Sequence, residues 1–484
     1  MDISKKMKTR LIVYALISSL GFSFLVMSAR SELSLPFPLS LIFENSVSGI
    51  GVPVYVLFQA IMMLFIVPHK KRMFFLVPIF IIALNSFISS NNIWYDSNII
   101  ICFALAGCMF FKFDFRNDSL SQFARMLSKI FSHFSHFSLP FRWLSEVGKG
   151  KSGLFKRLLL ALVITIPCVV FLIFMLASAD MVFSVKTEGF LSALSGIINF
   201  NTIIKLIIGS VAGLYLFGSA CSAYCQDEVT LPDEKNPKCD LLIINIFLSA
   251  LLFVYTLFVI IQFKYLFAGS TLPGNLTYTE YARKGFFELL ALTAVNIIII
   301  FITKRKTKNS SGKWAIFSTL LCTYLCAVTV VLLFSSFFRM YLYTEVDGLT
   351  RLRFFVMGFL VFELLGLIAT FVYIIKPKFN IILIYTVVAL LYYATLNVVP
   401  VDRIIAKNQI DKYLEGERDD LYYIFTLSAD AAPAMEHLYN NTDDEALKSE
   451  IMYFLEDKTN CQNSSWQAYN LSIERARVIK NNLK

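Results

Sequence analysis

Two carboxylates, Glu288 and Glu363, interrupt long apolar runs of the sequence. Lys304 and Lys376 follow these runs. By helical rise, Glu288 lies roughly 24 Å from Lys304 and Glu363 roughly 20 Å from Lys376. A charge at that depth of a membrane costs roughly 2.5 kcal/mol or more, so such side chains usually face a bundle interior and have a partner. The chemistry that these residue types predict is ion pairing or polar-ligand binding. Candidate partners are Arg283, Arg339, Arg351, Arg353 and Lys205.

A short pattern occurs twice beside these carboxylates. Residues 278–287 read YTEYARKGFF and residues 343–355 read YTEVDGLTRLRFF, so both combine Tyr-Thr-Glu with a following Arg-x-x-Phe-Phe. FELLAL from residue 287 corresponds to FELLGL from residue 362. We interpret the pattern as a duplicated two-helix unit in which each copy is an outer loop followed by a descending span.

Acidic, basic and tyrosine side chains converge on one level of the predicted bundle, near the outer ends of its later spans. We predict that they form an outward-facing polar pocket. Its candidate residues are Asp180, Tyr278, Glu280, Tyr281, Arg283, Glu288, Arg339, Tyr343, Glu345, Arg351, Arg353 and Glu363. The alternative is that they are interface anchors and ion pairs that fix helix packing, since Tyr and Arg are ordinary at that depth.

The composition requires a membrane as the setting for these residues. The chain has 484 residues, of which 57% are hydrophobic and 16% charged, against about 45 to 50% and about 25% in soluble domains. The mean hydropathy of +0.65 excludes a water-soluble globular protein. The net charge of +10 is spread among loops, which argues against a nucleic-acid partner and for the lipid bilayer.

Eleven apolar runs meet or approach the roughly 20 residues that a membrane-spanning helix needs. They lie at about 11–29, 51–68, 73–89, 97–112, 157–178, 197–219, 241–263, 283–303, 314–337, 353–375 and 380–399. Lys and Arg concentrate in every second connection, which predicts a cytoplasmic amino terminus and an extracytoplasmic carboxyl terminus. We expect a multi-pass protein of a bacterial-type plasma membrane, an all-α bundle of about eleven spans.

Four segments follow from this pattern. They are transmembrane helices one to four (1–112), a cytoplasmic amphipathic connection (113–156), helices five to eleven with the duplicated unit (157–399), and a small helical extracytoplasmic domain (400–484). In the connection, apolar residues from Leu120 to Phe137 recur at steps of three and four, opposite a polar side that includes Lys129, His133 and His136. We expect it to lie along the membrane surface with that polar side solvated.

Motifs of common enzyme classes are absent from the sequence. It has no HExxH, GxSxG, Walker A or GxGxxG-plus-strand arrangement, so we expect no catalytic residue, cofactor or resident metal. Cys221, Cys225 and Cys239 would need a fourth ligand to hold a metal, and we interpret them as ordinary thiols. Gly209, Gly213 and Gly218 form a small-residue stripe that predicts a close helix contact.

Several segments resemble a bacterial membrane family known as domain of unknown function four-one-seven-three. They are MLASADMVF at 175–183, YTEYARKGFFELL at 278–290, RMYLYTEVDGLTRLRFF at 339–355, and IIAKNQIDKY, LSADAAP and WQAYNLSIERAR in the tail. The resemblance implies a polytopic membrane protein and no activity. It marks Tyr278, Glu280, Tyr281, Arg283 and Gly285, with Tyr343, Glu345, Gly348, Leu349, Thr350, Arg351 and Arg353, as family-type motif residues. Met181 stands where that family usually has proline.

Three functions fit these observations. The first is a binding, sensing or accessory module whose outer pocket and tail respond to a ligand or to a membrane or extracytoplasmic protein partner. The second is a transporter or flippase for a small solute or lipid. The third is a membrane glycosyltransferase acting on lipid-linked sugar, with Glu32 and Glu44 in the first outer loop, an analogy of architecture alone.

Overall fold

The computed structural model describes residues 4–27, 49–66, 75–91, 95–109, 119–147, 200–224, 240–262, 286–307, 311–376, 379–460 and 465–483. All regular secondary structure in these ranges is helical. The helices are α1 (Lys5–Gly21, continued by a π turn at Phe22–Val26), α2 (Gly51–Ile66), α3 (Leu76–Ile88), α4 (Tyr95–Cys108), α5 (Ser119–Ser132), α6 (Leu139–Val147), α7 (Phe200–Ser222), α8 (Leu241–Gln262), α9 (Phe286–Thr307), α10 (Lys313–Asp347), α11 (Arg351–Ile375), α12 (Ile381–Val398), α13 (Val401–Leu414), α14 (Ala432–Asn441), α15 (Glu445–Asn460) and α16 (Leu471–Leu483).

Six of the described helices are long and apolar enough to cross a membrane. They are α1 with its π turn, α7, α8, α10, α11 and α12. Three shorter apolar helices accompany them, within α2, α3 and α4. The prediction of an all-α fold is therefore confirmed, and these six helices are compatible with a membrane protein. The span count of eleven and the orientation stay predictions, and the predicted span at 157–178 lies outside the described residues.

The chain folds as two compact units, each built from segments that are distant in sequence. Unit 1 comprises Met1–Lys112, Met126–Val229 and Leu427–Lys484, and unit 2 comprises Phe113–Arg125 and Thr230–Thr426. The helical tail after residue 400 is therefore shared, with 401–426 in unit 2 and the remainder in unit 1. Whether the tail lies outside the membrane as a domain of its own stays a prediction, as do the four predicted segments.

In unit 1, α7 lies directly against α1. A Cβ added to Gly209 would come within 2.6 Å of the backbone oxygen of Ser19, and one added to Gly213 within 2.7 Å of the Ser19 backbone nitrogen. Such contact is possible only without a side chain. The close helix contact predicted from the small-residue stripe is thus confirmed at these two glycines.

The tail part of unit 1 packs on the ends of α2 and α3. Asp430 accepts hydrogen bonds from the Ser89 hydroxyl and from the Ser90 backbone nitrogen, the latter at 3.1 Å. Asn470 donates to the backbone oxygen of Ser89 at 2.8 Å. The backbone of residue 50, just before α2, donates to the Tyr469 oxygen at 2.9 Å. These bonds fix the tail to backbone groups that helix ends leave unsatisfied.

The amphipathic connection is helical, but its histidine-bearing side is not solvated as expected. His133 has no exposed surface, whereas Phe131 is 65% exposed. The His133 Nε2 lies 2.9 Å from the Gly107 oxygen, and the ring packs edge-on against Tyr215. Gly218 leaves the space for this contact, since a Cβ there would meet the His133 oxygen at 2.6 Å. The polar side therefore faces protein, and the apolar side is left exposed.

Candidate functional site

The second copy of the repeated motif lies where α10 ends and α11 begins. No glycine or proline interrupts α10 before Gly348, so the helix continues to Asp347 and carries the Tyr-Thr-Glu part of the motif with it. Only Gly348–Thr350 form a turn, with Gly348 at a φ of +78°, a conformation that favours glycine. The Thr350 hydroxyl caps α11 by accepting from the Arg353 backbone nitrogen at 3.5 Å. The predicted outer loop is thus shorter than expected.

Arg351 binds Asp402 through two hydrogen bonds. Its Nε donates to Oδ1 at 2.7 Å and its Nη2 to Oδ2 at 2.5 Å. Asp402 has no exposed surface and belongs to the first turn of α13, where the helix dipole stabilises a negative charge. The forked geometry makes this pair directional as well as electrostatic. It fixes the start of the tail to the start of α11.

Further contacts join the motif to the residues after α12. Lys412 pairs with Glu345 at 2.9 Å, and Gln409 donates to the Leu349 oxygen at 2.6 Å. Arg418 donates to the Asp347 oxygen at 3.0 Å. We call residues 343–353 with their partners in 402–423 the motif junction.

Arg353 contacts other residues of the same motif. Its guanidinium lies 3.8 Å from the centre of the Tyr343 ring, a cation–π contact. It also donates to the Gly348 oxygen and pairs with Asp347 at 3.4 Å. The charged residues of the motif are therefore engaged in holding the turn and the tail.

Glu363 lies deeper, in the interior of unit 2. It is 5% exposed and roughly 18 Å along α11 from Arg351 by helical rise. The Thr293 hydroxyl of α9 donates to Glu363 Oε1. Its other oxygen, Oε2, is buried and has no hydrogen-bond partner among the described residues. One of the two carboxyl oxygens is thus buried without a hydrogen-bond partner among the described residues.

A row of uncharged polar groups continues from Glu363 along unit 2. Tyr255 donates to Asn296 Oδ1 at 2.8 Å, and Asn296 donates to Thr329 Oγ1 at 3.1 Å. Asn296 is one helical turn from Thr293 on α9. Nearer the other end of α8, Ser318 donates to Asn245 Oδ1 at 2.5 Å. We call the hydrogen-bonded groups around Glu363, Asn296 and Asn245 the polar row.

A family model matches residues 76–438, three quarters of the chain, and its description is Domain of unknown function (DUF4153). The chain belongs to this family. The match includes the motif junction, Glu363 and the polar row, so all of them are features of a DUF4153 chain. No curated protein and no solved structure matches the chain.

The expectation of a family without an assigned activity is thus confirmed at that level. The matching family is DUF4153, however, and not the family four-one-seven-three that the motifs resemble. The two agree in being of unknown function, so membership adds no substrate, cofactor or reaction. The function of this DUF4153 protein has to be argued from its side chains.

Of the predicted pocket residues, the described part of the DUF4153 chain brings Tyr343, Glu345, Arg351 and Arg353 together at the motif junction. Glu363 lies apart from them, beside Thr293, and Glu288 is exposed. Arg339 is buried within α10. The remaining candidates, with the carboxylates considered for a glycosyltransferase, lie outside the described residues: Asp180, Tyr278, Glu280, Tyr281, Arg283, Glu32 and Glu44. The pocket itself stays a prediction.

Glu363 was predicted to have a cationic partner; among the described residues its hydrogen-bond partner is the Thr293 hydroxyl, and the candidate Arg283 lies outside these residues. Arg351 and Arg353 are held by the junction. The hydroxyls of Thr293, Thr329 and Tyr255 were missed, although Thr293 and Asn296 show a signal, two polar residues at helical spacing in an apolar run. Within the described ranges, no three His, Cys, Asp or Glu side chains are arranged to hold a metal ion.

Proposed function

We propose that this protein is a membrane binding or sensing module that receives a cationic or hydrogen-bond-donating ligand at the Glu363 carboxyl. The observation that carries the proposal is Glu363 Oε2, which is buried without a hydrogen-bond partner among the described residues. Leaving such a group unsatisfied costs about 1–3 kcal/mol, and more for a charged group. An ionisable residue within a membrane span is accordingly a candidate functional site. A ligand that donates to this oxygen would offset the cost.

The motif junction supports access from the outer side. Arg351 pairs with Asp402 and Arg353 pairs with Asp347. These two cations therefore neutralise carboxylates of the junction and do not neutralise Glu363. In the predicted orientation, the junction and the nearer end of α11 lie outside the cytoplasm. A ligand binding at Glu363 would then insert beneath the junction, and the tail held there would respond to it.

The test uses the full-length protein in detergent with a panel of small cations: ammonium, choline, a polyamine and the alkali metals. We expect at least one to raise the unfolding temperature of the wild type and of Glu288→Gln, the matched change at an exposed carboxylate. The same cation should have no effect on Glu363→Gln. An equal response of Glu363→Gln, or no response of the wild type to any of them, would contradict the proposal.

A transporter or flippase is the second candidate, and the polar row favours it. Asn245, Asn296 and Glu363 lie at successive depths of unit 2, and each is hydrogen-bonded to a hydroxyl. Polar groups at several depths provide successive partners for a solute that crosses the membrane. A protein that only binds a ligand would need polar side chains at a single depth.

Proteoliposomes separate the two functions. A binding module would retain the cation that raises its unfolding temperature without moving it across the membrane. A transporter would accumulate the cation inside, and Asn296→Leu should slow that accumulation while leaving the temperature shift at Glu363 intact. Absence of accumulation in the wild type would eliminate the transporter.

A further inference from the structure

In unit 1, the part of the tail just before α16 has its polar side chains inside and its aromatic rings outside. Gln467 is 4% exposed and Asn470 has no exposed surface, whereas Trp466 is 54% and Tyr469 41% exposed. A surface that faces water normally shows the reverse, because rings gain free energy by leaving water and amides lose it. We call Trp466 and Tyr469 the aromatic pair. Their exposure indicates a surface that faces something other than water.

The two buried amides fix this segment against the ends of α1 and α3. Gln467 donates to the backbone oxygen of Phe24 at 3.4 Å, in the π turn that continues α1. Asn470 donates to the backbone oxygen of Ser86 at 3.1 Å, in the last turn of α3. Carbonyl groups at helix ends need such donors. The aromatic pair is therefore held at a defined place beside the two helix ends.

The exposed surface of α1 continues onto Trp466. Between Leu11 and Met27, every exposed side chain of α1 and its π turn is apolar, and these side chains are Val13, Leu16, Ile17, Leu20 and Phe24. Because this helix is long and apolar enough to cross a membrane, such a stripe would face lipid. At its end, the centres of the Phe24 and Trp466 rings are 6.5 Å apart. The tail thus extends the lipid-facing surface of α1.

Distance along α1 places the end of this stripe near a membrane boundary. The last charged residue of α1 is Arg10, and Phe24 lies roughly 21 Å from it by helical rise. A hydrocarbon core is about 30 Å thick, and a long basic side chain keeps its charged group in the adjoining water. A helix whose basic end lies at one boundary therefore has Phe24 near the other. The segment brings no charge to this level, since no Asp, Glu, Lys or Arg occurs between Lys458 and Glu474.

We infer that the aromatic pair binds the phospholipid bilayer at the boundary between headgroups and acyl chains, in the leaflet at the Phe24 end of α1. Trp and Tyr suit this boundary because one end of each side chain is apolar and the other is polar. Tyr469 makes a contact like that of Trp466, with its ring centre 6.2 Å from that of Phe87 near the end of α3. Lipid is the partner because the pair continues a surface that lipid would already cover.

Fluorescence quenching of the full-length protein in liposomes tests this inference. The signal of Trp466 is the fluorescence that Trp466→Phe lacks, so the other tryptophans stay in place and the change is confined to an exposed ring. We expect phosphatidylcholine brominated near the headgroup end of its acyl chains to remove most of this signal. Bromine at the far end of the chains should remove less, and acrylamide in the water should have little effect.

Tyr453→Trp in the Trp466→Phe background is the matched control. Tyr453 is an exposed ring of α15, also in unit 1, and Glu450, Glu456 and Asp457 are exposed neighbours at helical spacing. We expect acrylamide, and not brominated lipid, to quench the tryptophan placed there.

Two results would overturn the inference. If acrylamide and not brominated lipid quenched Trp466, its ring would lie in water. If neither quenched it, protein would cover the ring, for example a second copy of the chain. Neither result bears on Glu363 in unit 2, because the measurement follows a tryptophan of unit 1 and uses no cation.

Discussion

At the scale of single residues, the motif junction depends on Asp402, whose carboxylate has no exposed surface and is held by the Arg351 fork. Arg351→Met would leave this carboxylate buried without the guanidinium. We expect the free energy of unfolding to fall by about 3–5 kcal/mol, as for other broken buried pairs. Arg351→Lys should lose less, because it keeps the charge but not the fork. Denaturant unfolding, monitored by circular dichroism, measures the stability loss of each variant.

Glu345→Gln is the control for this prediction. Its pair with Lys412 belongs to the same junction, but the Glu345 side chain is 49% exposed. Exposed ion pairs contribute about 0–1 kcal/mol. If Glu345→Gln lowered stability as much as Arg351→Met, the junction would not depend on the buried pair.

Gly348→Ala tests the turn of the junction. At a φ of +78° and a ψ of 165°, a backbone region almost restricted to glycine, an alanine costs about 1–3 kcal/mol, and its Cβ would clash with Arg418 Nη1. Gly416 has nearly the same φ, +76°, with nothing within 4 Å of an added Cβ. Gly416→Ala therefore reports the cost of an alanine at positive φ without a clash, and Gly348→Ala should exceed it in a thermal unfolding measurement. Equal losses would mean that Arg418 moves aside freely.

At the scale of helices, His133 ties the amphipathic connection to α4 and α7. Burial, more than the neighbouring Lys129, lowers the pKa of His133 from 6.5 to about 4. The folded protein therefore holds the ring neutral, while the unfolded chain takes up a proton near pH 6.5. Its contribution is fully present above pH 6.5 and is lost as the pH falls toward 4.

We expect this titration to remove about 3 kcal/mol of stability at about pH 4. Hydrogen exchange of residues 126–147 against pH measures it, and protection should decline between pH 6.5 and 4. His133→Phe, which cannot titrate, should remove that decline, whereas His136→Gln should keep it. An unchanged pH profile in His133→Phe would assign the effect to other groups.

The contact between α1 and α7 makes a second prediction for helices. Gly213→Leu introduces a side chain where even a Cβ meets backbone atoms of α1, so we expect the helices to separate and the unfolding temperature to fall by several degrees. Gly358→Ala, where an added Cβ meets Tyr392 at an ordinary 3.5 Å, is the control and should be close to neutral. Differential scanning fluorimetry in detergent compares them.

At the scale of the whole molecule, the two units use different parts of the tail. Truncation after residue 426 removes Asp430, Tyr469 and Asn470, which bond to the ends of α2 and α3 in unit 1, but leaves the Arg351–Asp402 pair of unit 2. Hydrogen exchange should therefore rise in α2 and α3 and stay unchanged in α10 and α11. Equal loss of protection in both units would contradict the division of the tail.

How far the sequence predicts this molecule depends on the range of the interaction. Apolar length alone predicts helices such as α8 and α11, and the glycine spacing of α7 predicts a close helix contact without telling that α1 makes it. Arg351 was recognised as important, but its partner Asp402 is 51 residues away, and no local pattern connects the two. The burial of His133 was missed because periodicity finds two helix faces without telling which meets lipid and which meets protein.

The sharing of the tail has a consequence for biosynthesis. Ile50, Ser89 and Ser90 are translated well before their hydrogen-bond partners Tyr469 and Asp430, since Ser89 and Asp430 are 341 residues apart. Asp402 likewise follows the whole of α11 before it can meet Arg351. The ends of α2 and α3 therefore lack these partners until the tail has been translated, and a nascent chain stalled before residue 400 would leave them open to chaperones and proteases.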